Sequence, residues 1–236
     1  MEGWDLGETG RMDVKARLIP VSVPKDPEGV VLVLHGGGSR GESMMVSPTQ
    51  LSVLRMVPIA RGLARAGRKR LAVYRLLNSA RGWDTKHTPV QDARWALDQV
   101  REALGTALPA TLVGHSLGGR AALLAADHPA VDSAVALNPY VYPADGGIAL
   151  PDRRVLVVHG TADRIAPLAN AQAVAQGLSR TADVGFVRVE GGKHAMLSRS
   201  GTFTGLAKDF VRWHRLGAEP SPTLADAMGA RRPVDV

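Results

Sequence analysis

Apolar and polar positions along this chain fall into two alternating rhythms. Short continuous apolar runs occur at Val30 to Leu34, Leu71 to Leu76, Ala110 to Val113, Ser133 to Leu137, Val155 to Val158 and Val184 to Val189. They are rich in β-branched residues and predict strands buried on both faces of a parallel sheet. Val14 to Ile19 predicts a first strand ahead of them. Between the runs, apolar residues recur at helical spacing: Ile59, Leu63 and Ala66; Val90, Ala93, Leu97, Val100 and Leu104; Phe203, Leu206, Phe210 and Trp213. Such stripes predict helices with one face on a core. Pro58 predicts the start of the first helix and Gly67 its stop, and Thr88-Pro89-Val90-Gln91 predicts a capping box with proline at the first helical position. Further helices are predicted over Arg120 to Ala126 and Pro167 to Leu178. Residues 39–57 carry Met44, Met45, Leu51, Leu54 and Met56 without clean periodicity and predict a long loop with a short helix. Alternating strands and helices predict an α/β fold with a mostly parallel sheet covered on both faces. Residues 1–13 read as a polar lead-in, residues 1–217 as one domain, and residues 218–236, with Pro220, Pro222 and Pro233, as a flexible tail.

Composition narrows this picture. The 236 residues, 45% hydrophobic and 22% charged, suit one well-buried domain rather than a disordered chain. There is no cysteine, so disulfides and thiolate metal sites are excluded. The start, Met1-Glu2-Gly3-Trp4-Asp5, lacks a basic segment followed by an apolar one, and no apolar run approaches the roughly 18 residues of a membrane span. The expectation is a cytoplasmic protein. The net charge of +7 raises the question of a polyanionic partner. The basic cluster Arg61, Arg65, Arg68, Lys69 and Arg70 falls at the end of a predicted helix, where cations complement the dipole. It has no interleaved aromatic residues, so it reads as a solvated face and not as a nucleic-acid surface.

Chemistry concentrates where the predicted strands end, the side of an open parallel sheet on which ligands collect. After Val30–Leu34 comes His35-Gly36-Gly37-Gly38. After Ala110–Val113 comes Gly114-His115-Ser116-Leu117-Gly118, a Gly-x-Ser-x-Gly sequence between a strand and a helix. A serine there sits at the tip of a sharp turn in a strained conformation. Side chains at Gly114 or Gly118 would collide with the neighbouring strand and helix. The helix that follows directs free N–H groups and its positive dipole end toward the hydroxyl. The plainer reading of this stretch is a glycine-rich turn whose serine only caps the helix. After Val155–Val158 comes His159-Gly160-Thr161-Ala162-Asp163, and after Val184–Val189 comes Gly191-Gly192-Lys193-His194. A hydroxyl, a carboxylate and an imidazole therefore follow three different strands.

These residues, in the order Ser116, Asp163, His194 with a preceding His-Gly-Gly-Gly loop, resemble the α/β-hydrolase family over about residues 14–216. The resemblance implies eight or somewhat fewer strands, one of them antiparallel near the N-terminus. It implies that Ser116 attacks a carbonyl carbon, His194 accepts and returns the proton, and Asp163 orients the imidazole. The backbone N–H groups of Leu117 and Gly37 would hold the oxyanion. Asp145 and Asp132 compete with Asp163, because some hydrolases of this type carry the acid after the preceding strand. His35, His115 and His159 read as loop-orienting, and His87, His128 and His214 as surface or helix-face residues. Trp83, Tyr140 and Tyr142 line an acyl pocket or pack in the core, and the methionines of 39–57 form an apolar wall or plain core. About fifteen residues follow Leu137 before the next strand, too few for a helical cap, which suits an esterase or thioesterase with an open site bounded by 39–57, 78–87 and 139–152. The expected partner is a small-molecule acyl substrate, with no metal and no organic cofactor. A peptidase, a C–C hydrolase, an acyltransferase or an inactive binding protein on the same scaffold would carry the same residues.

Overall fold

The computed structural model describes residues 16–37, 46–80, 82–230 and 232–236. In chain order the elements are β1 (Arg17–Ser22), β2 (Gly29–Leu34), α1 (Leu51–Ala66), β3 (Leu71–Leu77), α2 (Thr88–Leu104), β4 (Ala110–His115), α3 (Leu117–Leu124) and β5 (Val131–Leu137). After a 3-10 turn at Pro143–Gly147 come β6 (Arg154–Gly160), α4 (Leu168–Leu178), β7 (Asp183–Val189), α5 (Ser200–Leu216), α6 (Pro222–Gly229) and β8 (Val234–Asp235). The strands form one eight-stranded sheet in the order β1-β3-β2-β4-β5-β6-β7-β8. Every neighbouring pair is parallel except β1 with β3.

The alternation of side chains along each strand divides the core into two layers. Val30, Leu32 and Leu34 face the layer covered by α2, α3 and α4, and Val31 and Val33 face the layer covered by α1, α5 and α6. On α2 the stripe Val90, Ala93, Leu97 and Val100 is buried, with Leu104 packed at its edge. On α5, Phe203, Phe210 and Val211 are fully enclosed. No described helix is long and apolar enough to cross a membrane.

Three local expectations change. Helix α1 begins at Leu51, so Pro58 lies inside it. Proline removes the bond to the carbonyl of Leu54. Pro58 and Leu54 are both exposed, so water can serve that carbonyl. Helix α2 starts without a Thr88 capping box: the Asp84 carboxylate accepts from the Thr88 N–H at 2.8 Å and from its hydroxyl, a stronger acceptor than a neutral hydroxyl. Residues 218–236 hold α6 and β8, where the sequence suggests a loose tail. Leu224 and Ala227, one turn apart, are fully buried against the α5 layer, and β8 pairs with β7. The Val14 end of the expected first strand, the lead-in 1–13, Gly38, Met44 and Met45 lie outside the described residues.

Candidate active site

Ser116 stands between β4 and α3 with φ 57° and ψ −122°, a conformation that non-glycine residues adopt only when the surroundings enforce it. The enforcement is steric. A Cβ on Gly114 would lie 2.0 Å from the Gly118 carbonyl oxygen, and a Cβ on Gly118 would lie 2.5 Å from the carbonyl oxygen of His35. The strand, the turn and the helix therefore pass closer to one another than any side chain permits, which fixes the turn and lifts the serine side chain out of the sheet.

The Ser116 hydroxyl meets His194 Nε2 at 3.0 Å, and His194 Nδ1–H donates to Asp163 Oδ2 at 2.8 Å. Because Nδ1 carries the proton, Nε2 is the ring's acceptor and faces the serine. The Asp163 side chain is fully buried. Burial by itself raises the pKa of its carboxyl, but the bonds from His194 and from the Ala166 and Ile165 N–H groups outweigh it and hold the group below the usual carboxylate range. The other two candidate acids are occupied elsewhere. Asp145 forms a bidentate pair with Arg120 at 2.8 and 2.9 Å. Asp132 sits at the opposite end of the sheet, bonded to His214 at 3.1 Å and to Arg215.

The histidines next to the site spend their rings on loop carbonyls. His35 Nδ1–H donates to the Gly36 carbonyl at 2.6 Å, while its Nε2 accepts from the Asn78 N–H at 3.1 Å. A trans peptide directs its C=O and N–H to opposite sides, so drawing back the Gly36 carbonyl turns the Gly37 N–H the other way. Gly37 and Leu117 both line the cleft over Ser116. His115 Nε2–H donates to the His194 carbonyl at 2.8 Å, and its burial, with His194 beside it, lowers its pKa to about 3. His159 Nε2–H donates to the Ala166 carbonyl at 3.1 Å.

Asn138 is a supporting residue that the sequence alone does not single out. Its side-chain amide donates to the carbonyls of Lys193 and His194 at 3.0 and 3.2 Å and accepts from the Gly160 N–H at 2.8 Å. One buried side chain thus joins the loop that carries the acid to the loop that carries the imidazole. Arg120 is a second such residue. Besides pairing with Asp145, its guanidinium lies 4.1 Å from the ring centre of Trp83 and 4.8 Å from that of Tyr142, a favourable cation–π arrangement. The only sequence signal for it is a basic residue one turn after the serine.

The resulting cleft has a volume of about 720 Å³ and is bordered by Ser116, His194, Trp83, Tyr140, Tyr142 and Ile165 among others. Among the described residues no three His, Cys, Asp or Glu side chains cluster as a metal site would require. The arrangement can activate a hydroxyl, stabilise the resulting imidazolium, and present N–H groups to an anion forming beside the serine.

A family model described as the alpha/beta hydrolase family matches residues 87–212. Among solved structures the chain is similar to Est1E from Butyrivibrio proteoclasticus, with a TM-score of 0.62 at 16% identity over 86% of this chain and 94% of that one. It is also similar to XC6422 from Xanthomonas campestris, a serine hydrolase without a lid, with a TM-score of 0.59 at 20% identity over 87% and 89% of the two chains. An esterase from Pyrobaculum calidifontis gives a TM-score of 0.62 at 15% identity over 84% and 86%. A search of curated protein sequences finds no match. At these identities the structural likenesses speak to the fold.

Proposed function

Because this chain belongs to the α/β-hydrolase family, we propose that it is a serine hydrolase of carboxylic esters or thioesters, working as a single catalytic domain through Ser116, His194 and Asp163. The observation that carries this reading is the hydrogen-bonded series Asp163–His194–Ser116, at 2.8 and 3.0 Å, opening on the cleft. Ser116 Oγ attacks the carbonyl carbon as its proton passes to His194 Nε2. His194 returns that proton to the leaving group, and the acyl-enzyme is then cleaved by a water that His194 deprotonates. The Asp163 carboxylate stabilises the imidazolium through both half-reactions. The Leu117 and Gly37 N–H groups hold the oxyanion, and loss of one such donor typically costs about 10²–10³ in rate.

Two further features favour esters with accessible acyl groups. The connection from β5 to β6 contains only a 3-10 turn, so no helical cap rises over the cleft from that position. The aromatic wall of Trp83, Tyr140 and Tyr142 offers apolar surface to an acyl chain. The test is steady-state hydrolysis of a p-nitrophenyl ester series of increasing acyl length by the natural chain and by Ser116→Ala, with mass-spectrometric mapping of a serine-directed phosphonate. Expected are turnover that peaks at one acyl length, its collapse in the variant, and labelling at Ser116. A folded natural chain that neither turns over any ester nor takes the label would overturn the reading in favour of an inactive scaffold. Labelling without ester turnover would move amide, C–C or acyl-transfer chemistry ahead of ester hydrolysis.

A further inference from the structure

Two arginines and one aspartate border the cleft directly. Arg120 is matched by Asp145, the Asp84 carboxylate is engaged by Thr88 at the start of α2, and Asp163 is engaged by His194. Arg55 is left over. It projects from the second turn of α1, borders the same cleft as Ser116, and is half-buried, yet no described carboxylate pairs with it. Among the described residues its buried Nε has no hydrogen-bond acceptor. Ser52, three residues earlier and so on the same helix face, also borders the cleft.

A guanidinium stripped of part of its water and given no acceptor is costly. Burial draws the Arg55 pKa below its usual value, although an arginine remains charged at neutral pH. Its charge is felt at the His115 ring, the residue directly before the serine. The exposed Lys86, Arg164 and Lys193 are chain neighbours of the cleft-lining residues Thr85, Ile165 and His194. With the net charge of +7, and against the single Asp84 carboxylate on the same rim, these cations favour anions near the opening.

We propose that Arg55 is the anion-recognition residue of this cleft, selecting esters or thioesters that carry a carboxylate on the part of the substrate facing α1. The proposal rests on the serine-hydrolase reading above and adds the substrate class. The fork of a guanidinium matches a carboxylate in two parallel bonds, and the bound anion would supply the acceptor that Nε lacks. The carboxylate sits either on the acyl group or on the leaving group, and two substrate pairs separate these cases. p-Nitrophenyl hydrogen adipate is compared with p-nitrophenyl hexanoate for the acyl side, and 4-acetoxybenzoate with phenyl acetate for the leaving side.

The readout is the anionic-to-neutral ratio of kcat/KM in the natural chain and in Arg55→Gln, Arg55→Lys and Arg55→Glu, each first checked for an unaltered melting curve. A charge-assisted pair predicts that the ratio for one substrate pair falls about tenfold or more in Arg55→Gln. Arg55→Lys keeps part of it, and Arg55→Glu lowers it furthest. The pair that responds locates the carboxylate. If neither ratio depends on residue 55 in folded variants while neutral esters are turned over, the inference fails and the hydrolase reading stands. If the natural chain turns over no ester at all, the ester-hydrolysis reading on which the inference rests has failed.

Discussion

Two aspartate–histidine pairs lie at opposite ends of the sheet. At the carboxyl ends of the strands Asp163 takes the Nδ1–H of His194 at 2.8 Å, and at the amino ends Asp132 takes the Nε2–H of His214 at 3.1 Å. Each pair has a serine nearby, Ser116 in the first case and Ser133 in the second. The resemblance ends there. Ser116 is bonded to the free nitrogen of its imidazole, whereas Ser133 bonds to the aspartate, to Thr111 and to Arg215. The Asp132 carboxylate is shared with Arg215, and Arg154 lies against the other nitrogen of His214. That imidazole therefore has no hydroxyl to deprotonate, and cations stand on both sides of it. An aspartate–histidine hydrogen bond is common structural material. A strained serine on the far nitrogen, N–H groups beside it and a cleft above it distinguish the carboxyl end.

Replacing Ser116 is expected to break the comparison most severely. Ser116→Ala should lower ester turnover by about 10⁴-fold or more, measured with the same p-nitrophenyl ester in both proteins, while Ser133→Ala should change kcat little. Parity between the two variants would show that the Ser116 turn is not the reactive end. The acids come next. In Asp163→Asn the amide no longer fixes the imidazole tautomer, and kcat should drop by about 10³–10⁴. Asp132→Asn should leave kcat near its natural value but deprive the buried Arg215 of its counter-charge. Removing one partner of a fully buried pair costs about 3–5 kcal/mol. The 37% exposure of Asp132 reduces this to about 1–3 kcal/mol, visible as a Tm lowered by several degrees.

The last effect concerns acid stability. Burial, reinforced by Arg154, lowers the His214 pKa from 6.5 to about 4. Between those values the unfolded chain binds a proton that the folded chain refuses, so stability falls as pH is lowered from about 6.5 toward 4. Tm measured across this window should fall with acidification, and His214→Gln should make that fall shallower. His35, His115, His128 and His159 are also shifted down by burial and should add to that slope.

Much of this arrangement was legible in the sequence, and the exceptions have physical causes. The Gly114 and Gly118 spacing is a steric demand on a local turn, so it can be read from neighbouring residues. Asp163 and His194 each follow a strand that is itself a plain apolar run, and parallel topology carries both to one edge. The start of α1 was hidden because Pro58 imitates a helix beginning and no capping residue marks Leu51, whose N-cap Gln50 makes no side-chain cap. The order in 218–236 depends on Leu224 and Ala227 finding the α5 layer and on β8 finding β7, contacts that no local pattern announces. Arg120 with Asp145, and Asn138 with the two loops it joins, are likewise pairings between residues far apart in the chain.

The backbone at Ser116 has a thermodynamic implication separate from its chemistry. A positive φ held at a residue with a side chain stores about 1–3 kcal/mol that the rest of the fold must offset. Glycine adopts that conformation freely. Ser116→Gly should therefore give a molecule that is inert and yet melts at a higher temperature than the natural chain. At this one position durability and reactivity pull in opposite directions, and the increase in melting temperature reports the tension held in the turn less the freedom that glycine adds to the unfolded chain.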